Sequence, residues 1–393
     1  MGREYYLDNA ATTEVYSEVI DTISNVMRDV YGNPSSIHRK GNQAQEIVDK
    51  ARQIIADYIN CEPEEIIFTS GACEANSLAI LGYMKQRWHG MTVFCTSPIE
   101  HKSIISIVDG YDFETWKADS CFEMLKVDEN GFVDNLDMNA ILANIYQDGY
   151  TPFVSIQAAN SEIGTCQNIK EIAEITHRYG GIFHCDATQL FPYQRIDVKK
   201  LDIDMMSMSG QKIHAPKGIG FLYVKEGIEL EPLIYGSQEK GIRGGTENVP
   251  YIAGLAKAIE LLDFKFKVTV NPEIFHVRNY MEHQLKKKIK NCMINNDWGC
   301  CLPNLINISF KDIDAQDLIT LLDAEDIYVS VGSACNSGNT EPSYVLKAIN
   351  VPDEYIMGTI RITLPDDFEY DDVDYIVSRI AYYINNLRMF GEK

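Results

Sequence analysis

The sequence lacks a long apolar run and a charged leader followed by an apolar segment. No stretch approaches the roughly 18 apolar residues of a membrane-spanning helix. The chain begins Met1-Gly2 but has no Ser or Thr at position 6, which a myristoylation signal requires. These absences predict a chain with no membrane partner, and we expect it to be cytoplasmic.

Basic residues are scarce relative to acidic ones. The chain has 35 Lys and Arg against 57 Asp and Glu, and its formal net charge is -22. The dense basic run from Lys286 to Lys290 follows helix-like spacing from Met281 and Leu285, which is typical of a solvated helix face. A nucleic-acid surface needs a clustered basic patch. We therefore expect no nucleic-acid partner.

Cysteine motifs are missing as well. Ten cysteines occur without a Cys-x-x-Cys pair, and the adjacent Cys300 and Cys301 do not have metal-ligand spacing. A disulfide framework and a zinc site are therefore disfavoured, and we expect no metal. The length of 393 residues, with 45% hydrophobic residues, suits two domains or one large domain with an appendage.

The order of apolar patterns predicts an α/β fold. Helical spacing covers 15–30, 47–58 and 170–179, and short apolar runs occur at 66–68, 92–94, 153–156, 182–185 and 221–224. Such alternation predicts a mostly parallel sheet covered by helices. Beyond residue 304, strand patterns at 304–308, 327–331 and 359–363 and helical patterns at 317–322 and 376–384 predict a smaller α+β unit.

The domain boundary is expected near residues 262 to 272. The predicted large domain spans 15–262. The predicted small domain combines 1–14 with 263–393 and carries the loop around Cys335.

Lys212 is the most informative single residue. It ends Ser207-Met208-Ser209-Gly210-Gln211-Lys212, which follows an apolar strand pattern and precedes a glycine-rich stretch at 217–220. A lysine that binds an aldehyde cofactor covalently needs a fixed strand-end position and small neighbours. Taken alone, the same pattern also fits a solvated surface lysine.

Three further motifs follow predicted strands. Asp186 could keep a pyridine nitrogen protonated or cap a turn. The turn at 69–72 opens a predicted helix, whose N–H groups and dipole suit a phosphate. His101 could stack on a flat ring, carry protons or be a structural histidine. Because open α/β sheets bind ligands at the carboxyl ends of strands, these motifs and Lys212 together predict a pyridoxal 5'-phosphate site.

With these residues the chain resembles the cysteine desulfurases, pyridoxal phosphate enzymes of the class V aminotransferase group with the aspartate-aminotransferase fold (PLP fold type I). The resemblance covers almost the whole chain. Its motifs are Tyr6-Leu7-Asp8-Asn9-Ala10-Ala11-Thr12-Thr13, Gly32-Asn33-Pro34-Ser35-Ser36, Phe68-Thr69-Ser70-Gly71-Ala72, Glu162-Ile163-Gly164-Thr165, Asp186-Ala187-Thr188-Gln189, Arg243-Gly244-Gly245-Thr246-Glu247-Asn248 and Gly332-Ser333-Ala334-Cys335.

The resemblance implies roles for the matching residues around the cofactor ring. Lys212 would bind the cofactor covalently, Asp186 would pair with the ring nitrogen and Gln189 would bond the ring oxygen. His101 would stack on the ring. The second residue of Asn160-Ser161 matches a position that lies near the ring oxygen in the family.

The resemblance also implies contacts to the phosphate and to the substrate. Ser209 and the turn of Gly71, Ala72 and Cys73 would hold the phosphate. The family is usually a homodimer whose partner subunit lends a phosphate contact, which maps to Thr246. Arg361 would clamp the substrate carboxylate in a bidentate fork. Judged without the family, Arg361 is expected to be an exposed strand residue.

Cys335 lies among small polar residues that are typical of an exposed loop. A thiol with a pKa near 8.5 is only about 3% ionised at neutral pH, so a nearby base or positive charge must activate it. His101 is the candidate for that role. The resemblance implies that Cys335 receives sulfur from L-cysteine and that alanine is released. The persulfide would then pass to an acceptor such as an iron-sulfur scaffold or a thiolation enzyme.

The chain departs from the family pattern at several site positions. Cys73 replaces a phosphate-binding Thr, Gln211 replaces the His before the lysine, and Ser161 replaces the second of two asparagines. Two alternatives stay open. One is a lyase or aminotransferase of the same fold that acts on selenocysteine, cysteine sulfinate or another amino acid. The other, ranked lowest, is a non-enzymatic assembly partner, which would be expected to have lost some of Lys212, Asp186 and Cys335.

Overall fold

A computed structural model of the protein describes residues 3–86, 92–110, 122–268, 273–295, 299–332 and 342–391. The strands within these residues are β1 Tyr5–Tyr6, β2 Ile66–Thr69, β3 Thr92–Thr96, β4 Phe122–Met124, β5 Thr151–Gln157, β6 Ile182–Asp186, β7 Met205–Ser209, β8 Gly220–Val224, β9 Cys292–Ile294, β10 Leu305–Phe310, β11 Ile327–Tyr328 and β12 Thr359–Thr363.

The helices alternate with these strands through most of the chain. Within the described residues they are α1 Ser17–Asp29, α2 Arg39–Ile59, α3 Ala72–Gln86, α4 Lys102–Gly110, α5 Asn135–Gln147, α6 Ile169–Arg178, α7 Val198–Leu201, α8 Val249–Val268, α9 Glu273–Lys288, α10 Ala315–Asp323, α11 Tyr344–Ala348, α12 Asp353–Ile356 and α13 Tyr370–Gly391. Single 3-10 turns occur at Pro63–Glu65, Gly210–Lys212 and Glu239–Gly241. None of the helices in the described ranges combines the length and the apolar character that a bilayer span requires.

A seven-stranded sheet lies at the centre of the structure. Its strand order is β2-β8-β7-β6-β5-β3-β4. The pairs from β7 through β6, β5 and β3 to β4 are parallel, whereas β8 is antiparallel to both β2 and β7. The mostly parallel α/β sheet predicted from the sequence is confirmed.

The central strands are apolar on both faces. In β7, Met206 and Met208 join a buried cluster that includes Val48 of α2, while Met205 joins a second cluster that includes Ala79 of α3. Successive side chains of a strand point to opposite faces. The sheet therefore needs a helical layer on each side, as parallel sheets generally do.

The strands that carry the predicted motifs end on one edge of the sheet. β2 ends at Thr69, β6 ends at Asp186 and β7 ends at Ser209, after which the turn Gly210–Lys212 follows directly. β2 runs in the same direction as β7 because each is antiparallel to β8. Open α/β sheets bind ligands at this carboxyl edge.

The carboxyl-terminal part has its own core around an antiparallel sheet of order β12-β10-β9. Leu7, from the amino terminus, is buried in this core together with Ile308 of β10. β1 pairs in parallel with β11, which ties the amino terminus to the carboxyl-terminal part. The domain limits of 15–262 for the large domain, and of 1–14 with 263–393 for the small one, stay a prediction.

The expectation that Arg361, judged by its residue type alone, is exposed on a strand is wrong. The residue is 1% exposed. Its strand, β12, ends the three-stranded sheet, but Ser330 bridges to Arg361 on the edge that faces away from β10. Both edges of β12 are therefore covered at this position. The guanidinium reaches Asp8 and the backbone of Ser161 instead of solvent.

A polar cluster holds the start of β7, the strand that leads to Lys212. His177, in the last turn of α6, bonds Asp204 through Nε2 at 2.7 Å and Asp202 through Nδ1 at 3.0 Å. Lys225 bonds the same two carboxylates. The hydrogen bond to Asp204 has the largest effect on the pKa of His177 and raises it. The charges of the two carboxylates also raise this pKa, whereas burial lowers it, and the net shift is upward.

We predict that the stability contributed by His177 falls as pH rises. Because its folded-state pKa is raised, the contribution is complete below the unfolded pKa of about 6.5 and is lost as pH rises through the folded pKa. His177→Gln should lower the free energy of unfolding by about 1 kcal/mol near pH 6 and by less near pH 9. Urea unfolding at both pH values measures the difference. His276→Gln, at an exposed position of α9, is the control, and an equal loss at the two pH values would contradict the prediction.

Candidate functional site

A cavity of about 240 Å³ lies at the carboxyl edge of the central sheet. Most of the residues proposed from the sequence line it. The predicted residues in its lining are His101, Lys212, Asp186, Gln189, Ser209, Gly71, Ala72, Cys73, Gln211, Ser161 and Arg361. The fold thus brings side chains from distant parts of the sequence into one cavity.

Lys212 lies in the 3-10 turn that follows β7. Its Nζ donates hydrogen bonds to the backbone carbonyls of Ala10 at 2.7 Å and Ala11 at 2.5 Å. The turn is held because the carbonyl of Gln211 accepts bonds from both the N–H and the hydroxyl of Thr13. The amino-terminal segment therefore positions the amine at the cavity.

Asp186 is the last residue of β6 and is 5% exposed. Its Oδ2 accepts a hydrogen bond from Nδ2 of Asn76 at 2.7 Å, and its Oδ1 accepts one from the N–H of Thr188 at 3.1 Å. A carboxylate offers roughly four acceptor sites. Asp186 can therefore accept a further bond, such as one from a ring N–H, while these two bonds fix its orientation.

The turn between β2 and α3 allows close approach to the backbone. Gly71 has a φ of +143°, and a Cβ there would lie 3.3 Å from the hydroxyl oxygen of Ser209. A Cβ on Gly220 would lie 2.7 Å from the Cα of Gly71, so a side chain cannot be accommodated at Gly220. α3 begins at Ala72. The N–H groups of its first turn and the helix dipole favour an anion at this end of the cavity.

Arg243 and Glu74 join this turn to the segment that contains Thr246. Nε of Arg243 donates to Oε1 of Glu74 at 2.7 Å, and Oε2 of Glu74 accepts the N–H of Ser70 at 2.7 Å. Burial raises the pKa of Glu74, but the hydrogen bonds from Arg243 and Ser70 together lower it by more. The net shift of the pKa is therefore downward. The carboxylate therefore stays charged and holds both segments.

His101 directly precedes α4 and lines the cavity. Its Nδ1 lies 2.8 Å from Oγ of Ser103 and accepts the N–H of Ser103 at 3.2 Å. Burial is the largest effect on the pKa of His101 and lowers it; Asp186 raises it and Lys212 lowers it. Because the net shift is downward, the ring is neutral near pH 7.

Glu100 is fully buried beside His101. Its Oε1 accepts the hydroxyl of Ser97 at 2.6 Å, and its Oε2 accepts the N–H of Gln157 at 2.8 Å. Burial raises the pKa of Glu100 to about 8, against the lowering effect of these bonds. The carboxyl group of Glu100 is therefore mostly protonated near pH 7.

Arg361 brings a buried guanidinium to the cavity. Its Nη2 forms an ion pair with Oδ1 of Asp8 at 2.6 Å, and its Nη1 donates to the carbonyl of Ser161 at 2.9 Å. Within the described part of the chain its buried Nε has no hydrogen-bond partner. A guanidinium with a spare donor suits a carboxylate ligand.

Three predicted residues are not in the described lining of the cavity. Asn160 is 2% exposed, and its side chain is bonded to three backbone groups of its own turn and of the segment before His101. Thr246 is exposed. Cys335 lies outside the described residues.

Sequence reasoning missed three residues that shape the cavity. Asn76 is fully buried in α3 and bonds Asp186. Thr188 lines the cavity, and its buried hydroxyl has no hydrogen-bond partner among the described residues. Asp8 pairs with Arg361. Only Asn76 had a local signal, because it lies one helical turn after the predicted phosphate turn, where an apolar residue is expected on a buried helix face.

Known proteins resemble this chain along nearly its whole length. Residues 5–376 match the family model described as aminotransferase class-V. A protein named cysteine desulfurase IscS from Dictyoglomus turgidum is 37% identical over 392 residues, which are 99% of this chain and 96% of that protein. A solved structure named NifS-like protein has a TM-score of 0.88 at 30% identity and covers 98% of this chain and 100% of its own. Another, SspA in complex with cysteine, has a TM-score of 0.79 at 31% identity and covers 93% of this chain and 99% of its own.

Proposed function

The chain belongs to the cysteine desulfurases of the aminotransferase class-V family, and we propose that it binds pyridoxal 5'-phosphate in the cavity at the carboxyl edge of the sheet. Its reaction there converts L-cysteine to L-alanine, with the sulfur passing to Cys335. The observation that carries the proposal is the presence of Lys212, Asp186 and Arg361 in one cavity. An amine, a buried carboxylate and a guanidinium are the groups that this cofactor and an amino-acid carboxylate require.

The polar groups of the cavity fit this cofactor. The turn at 71–73 and Ser209 would hold the phosphate, and Asp186 would pair with the ring nitrogen. Nε2 of Gln189 donates a hydrogen bond to the carbonyl of Ala10 at 3.0 Å. The second N–H of this amide can then donate to a ring oxygen. The buried hydroxyl of Thr188, which has no partner in the described ranges, adds an unused polar group beside Asp186.

The chemistry needs both the cofactor and the side chains around it. When bound, pyridoxal phosphate withdraws electrons from the substrate Cα and so makes its proton removable. Lys212 removes that proton, because its amine is held at the cavity by two backbone carbonyls. Arg361 binds the substrate carboxylate through its spare donor. His101 covers the face of the ring, and Gln211 and Ser161 complete the polar lining.

Cys335 is proposed as the sulfur-accepting nucleophile. The described residues on both sides of its segment contact residues near the cavity. A Cβ on Gly332 would lie 3.0 Å from a carboxylate oxygen of Glu162, and the hydroxyl of Tyr344 donates to the carbonyl of Glu100 at 2.7 Å. The described residues that flank the segment of Cys335 thus lie beside Glu162 and Glu100, which directly follow and precede the cavity residues Ser161 and His101.

Sulfur transfer from the substrate is then a nucleophilic displacement. The Cys335 thiolate attacks the substrate sulfur, so a sulfur–sulfur bond forms and the carbon–sulfur bond breaks. The carbon retains the electron pair and takes up a proton, which yields alanine and leaves a persulfide on Cys335. An acceptor protein such as an iron-sulfur scaffold or a thiolation enzyme would then receive the sulfur.

The active form is proposed to be a homodimer. Among the described residues of a single chain, four large apolar side chains are at least 75% exposed: Tyr31 at 75%, Ile37 at 99%, Leu136 at 85% and Tyr235 at 81%. Exposed large apolar groups are typical of surfaces that a partner covers. Thr246 is also exposed, as a residue that contacts the phosphate of a partner subunit must be.

Lys212 should be the lysine that binds the cofactor covalently. Protein loaded with pyridoxal phosphate should absorb visible light, and reduction with borohydride should fix the cofactor on the Lys212 peptide in mass spectrometry. Lys212→Ala should still bind the cofactor but should not exchange the Cα proton of L-cysteine, because the base is lost. A label on Lys217, in the same loop, would contradict the assignment.

Cys73 should weaken phosphate binding, because a thiol is a poorer donor than a hydroxyl. A hydrogen bond to a charged group is worth about 1.5 to 3 kcal/mol. Cys73→Thr should therefore lower the dissociation constant of pyridoxal phosphate by roughly ten-fold, or about 1.4 kcal/mol, measured by fluorescence titration. Cys300→Thr, at an exposed cysteine outside the described cavity lining, should leave it unchanged. If Cys73→Thr bound no more tightly, Cys73 would not face the phosphate.

Cys335 should be required for sulfur transfer but not for proton removal. Cys335→Ala should still exchange the Cα proton of L-cysteine but should release neither alanine nor sulfide above background, whereas Cys300→Ala should behave as wild type. Wild-type protein treated with L-cysteine without reductant should gain about 32 Da on Cys335, the mass of one sulfur atom. Near-wild-type release of alanine and sulfide by Cys335→Ala would favour lyase chemistry instead.

A further inference from the structure

Hydrogen bonds connect Asp186 to His101 through two residues outside the described lining of the cavity, Asn76 and Ser103. Nδ2 of Asn76 donates to Oδ2 of Asp186 at 2.7 Å and to Oγ of Ser103 at 2.9 Å. Oγ of Ser103 lies 2.8 Å from Nδ1 of His101. One buried amide thus bonds both the acid of the cavity and Ser103, the partner of the imidazole.

The backbone of Ser103 determines which nitrogen of His101 carries the proton. The N–H of Ser103 points to Nδ1 at 3.2 Å, and a backbone N–H can only donate. Nδ1 must therefore present its lone pair, so the proton of the neutral ring is on Nε2. The place of His101 directly before α4 also favours the neutral ring over the protonated one, because the amino terminus of a helix disfavours a cation.

The side chains of Ser103 and Asn76 impose the same choice. Oγ of Ser103 accepts a hydrogen bond from Nδ2 of Asn76, so the hydroxyl of Ser103 can itself donate to Nδ1 of His101. The Asn76 amide cannot be reversed, because its oxygen would then lie 2.7 Å from Oδ2 of Asp186 and two acceptors would face each other. Both N–H groups of the Asn76 amide therefore donate hydrogen bonds, one to Asp186 and one to Ser103.

We propose that Asn76 and Ser103 are positioning residues that hold His101 as the neutral tautomer protonated on Nε2, while the same Asn76 amide orients Asp186. The catalytic meaning of this assignment rests on the proposed function, but the tautomer is a property of the chain itself. In the resting state His101 then carries its N–H at Nε2, where it can act as a hydrogen-bond donor. Acceptance of the Cys335 thiol proton by His101, as expected from the sequence, would need the opposite tautomer.

The charged groups that face His101 come from several elements. Burial lowers the pKa of His101, Asp186 at the end of β6 raises it, and Lys212 after β7 lowers it. Arg361 of β12 lines the same cavity. Glu100, in the segment before α4, is mostly neutral near pH 7 because burial raises its pKa to about 8. Against this background, loss of the Ser103 hydroxyl should raise the pKa of His101 by about half to one unit, since one bond to the neutral ring is lost.

Nitrogen NMR of the full-length protein labelled with 15N-histidine, with and without pyridoxal phosphate, reads the tautomer directly. His101 of the wild type, assigned with His101→Gln, should show a protonated Nε2 and an unprotonated Nδ1 near pH 7. Ser103→Ala should raise the titration midpoint of His101 by about half to one pH unit and shift the acidic limb of kcat/KM for L-cysteine by the same amount. Ser103→Thr keeps the hydroxyl and should restore both.

Ser77→Ala is the matched control on α3, because its hydroxyl bonds the carbonyl of Cys73 instead; it should leave the His101 titration unchanged. A protonated Nδ1 in the wild type, or a Ser103→Ala protein that titrates as wild type, would overturn the proposal. Wild-type protein that shows the Nε2–H tautomer but no turnover of L-cysteine would support this assignment and reject the proposed function. The two proposals therefore fail separately.

Discussion

The cavity depends on the parallel hydrogen-bond register of the central strands. In this register Gln157 of β5 lies beside Asp186 of β6, and Asp186 lies beside Ser207 of β7. Neighbouring strands are about 4.8 Å apart, so their carboxyl ends meet within the reach of one small ligand. Because both faces are buried, a slip of one residue would exchange the two faces and turn Asp186 away from the cavity. Packing of the two apolar clusters on the opposite faces of the central sheet therefore fixes the geometry of the site.

Two acids near the cavity, Asp8 and Glu162, interact with the guanidinium of Arg361. Asp8 forms an ion pair with Arg361, and this pair joins the amino-terminal segment to β12. Glu162 is 1% exposed, and burial raises its pKa against the lowering effects of a hydrogen bond with Ser343 and of the charge of Arg361. Arg361 therefore interacts with acids from two different segments of the chain.

The sequence was most informative where the chemistry of the site is local. Lys212 and Asp186 could be identified because each follows an apolar strand pattern and has small neighbours, and the turn at Gly71 could be identified because it joins a strand to a helix. Arg361 was the opposite case. Its residue type favours exposure, but β10 and Ser330 cover both edges of its strand, and its ion-pair partner Asp8 is far away in the sequence. The alternation of apolar residues along a strand does not show which distant residue a side chain will contact.

By itself, the sequence determined the alternation of strands and helices, the class of fold, and the strand-end motifs that resemble a cysteine desulfurase. Only the tertiary structure decided which polar groups meet. It placed Lys212 against the amino-terminal carbonyls, and it connected Asp186 and His101 through Asn76 of a separate helix. The physical reason is that apolar periodicity reports order along the chain, whereas hydrogen bonds and desolvation act over a few ångströms between segments that only folding brings together.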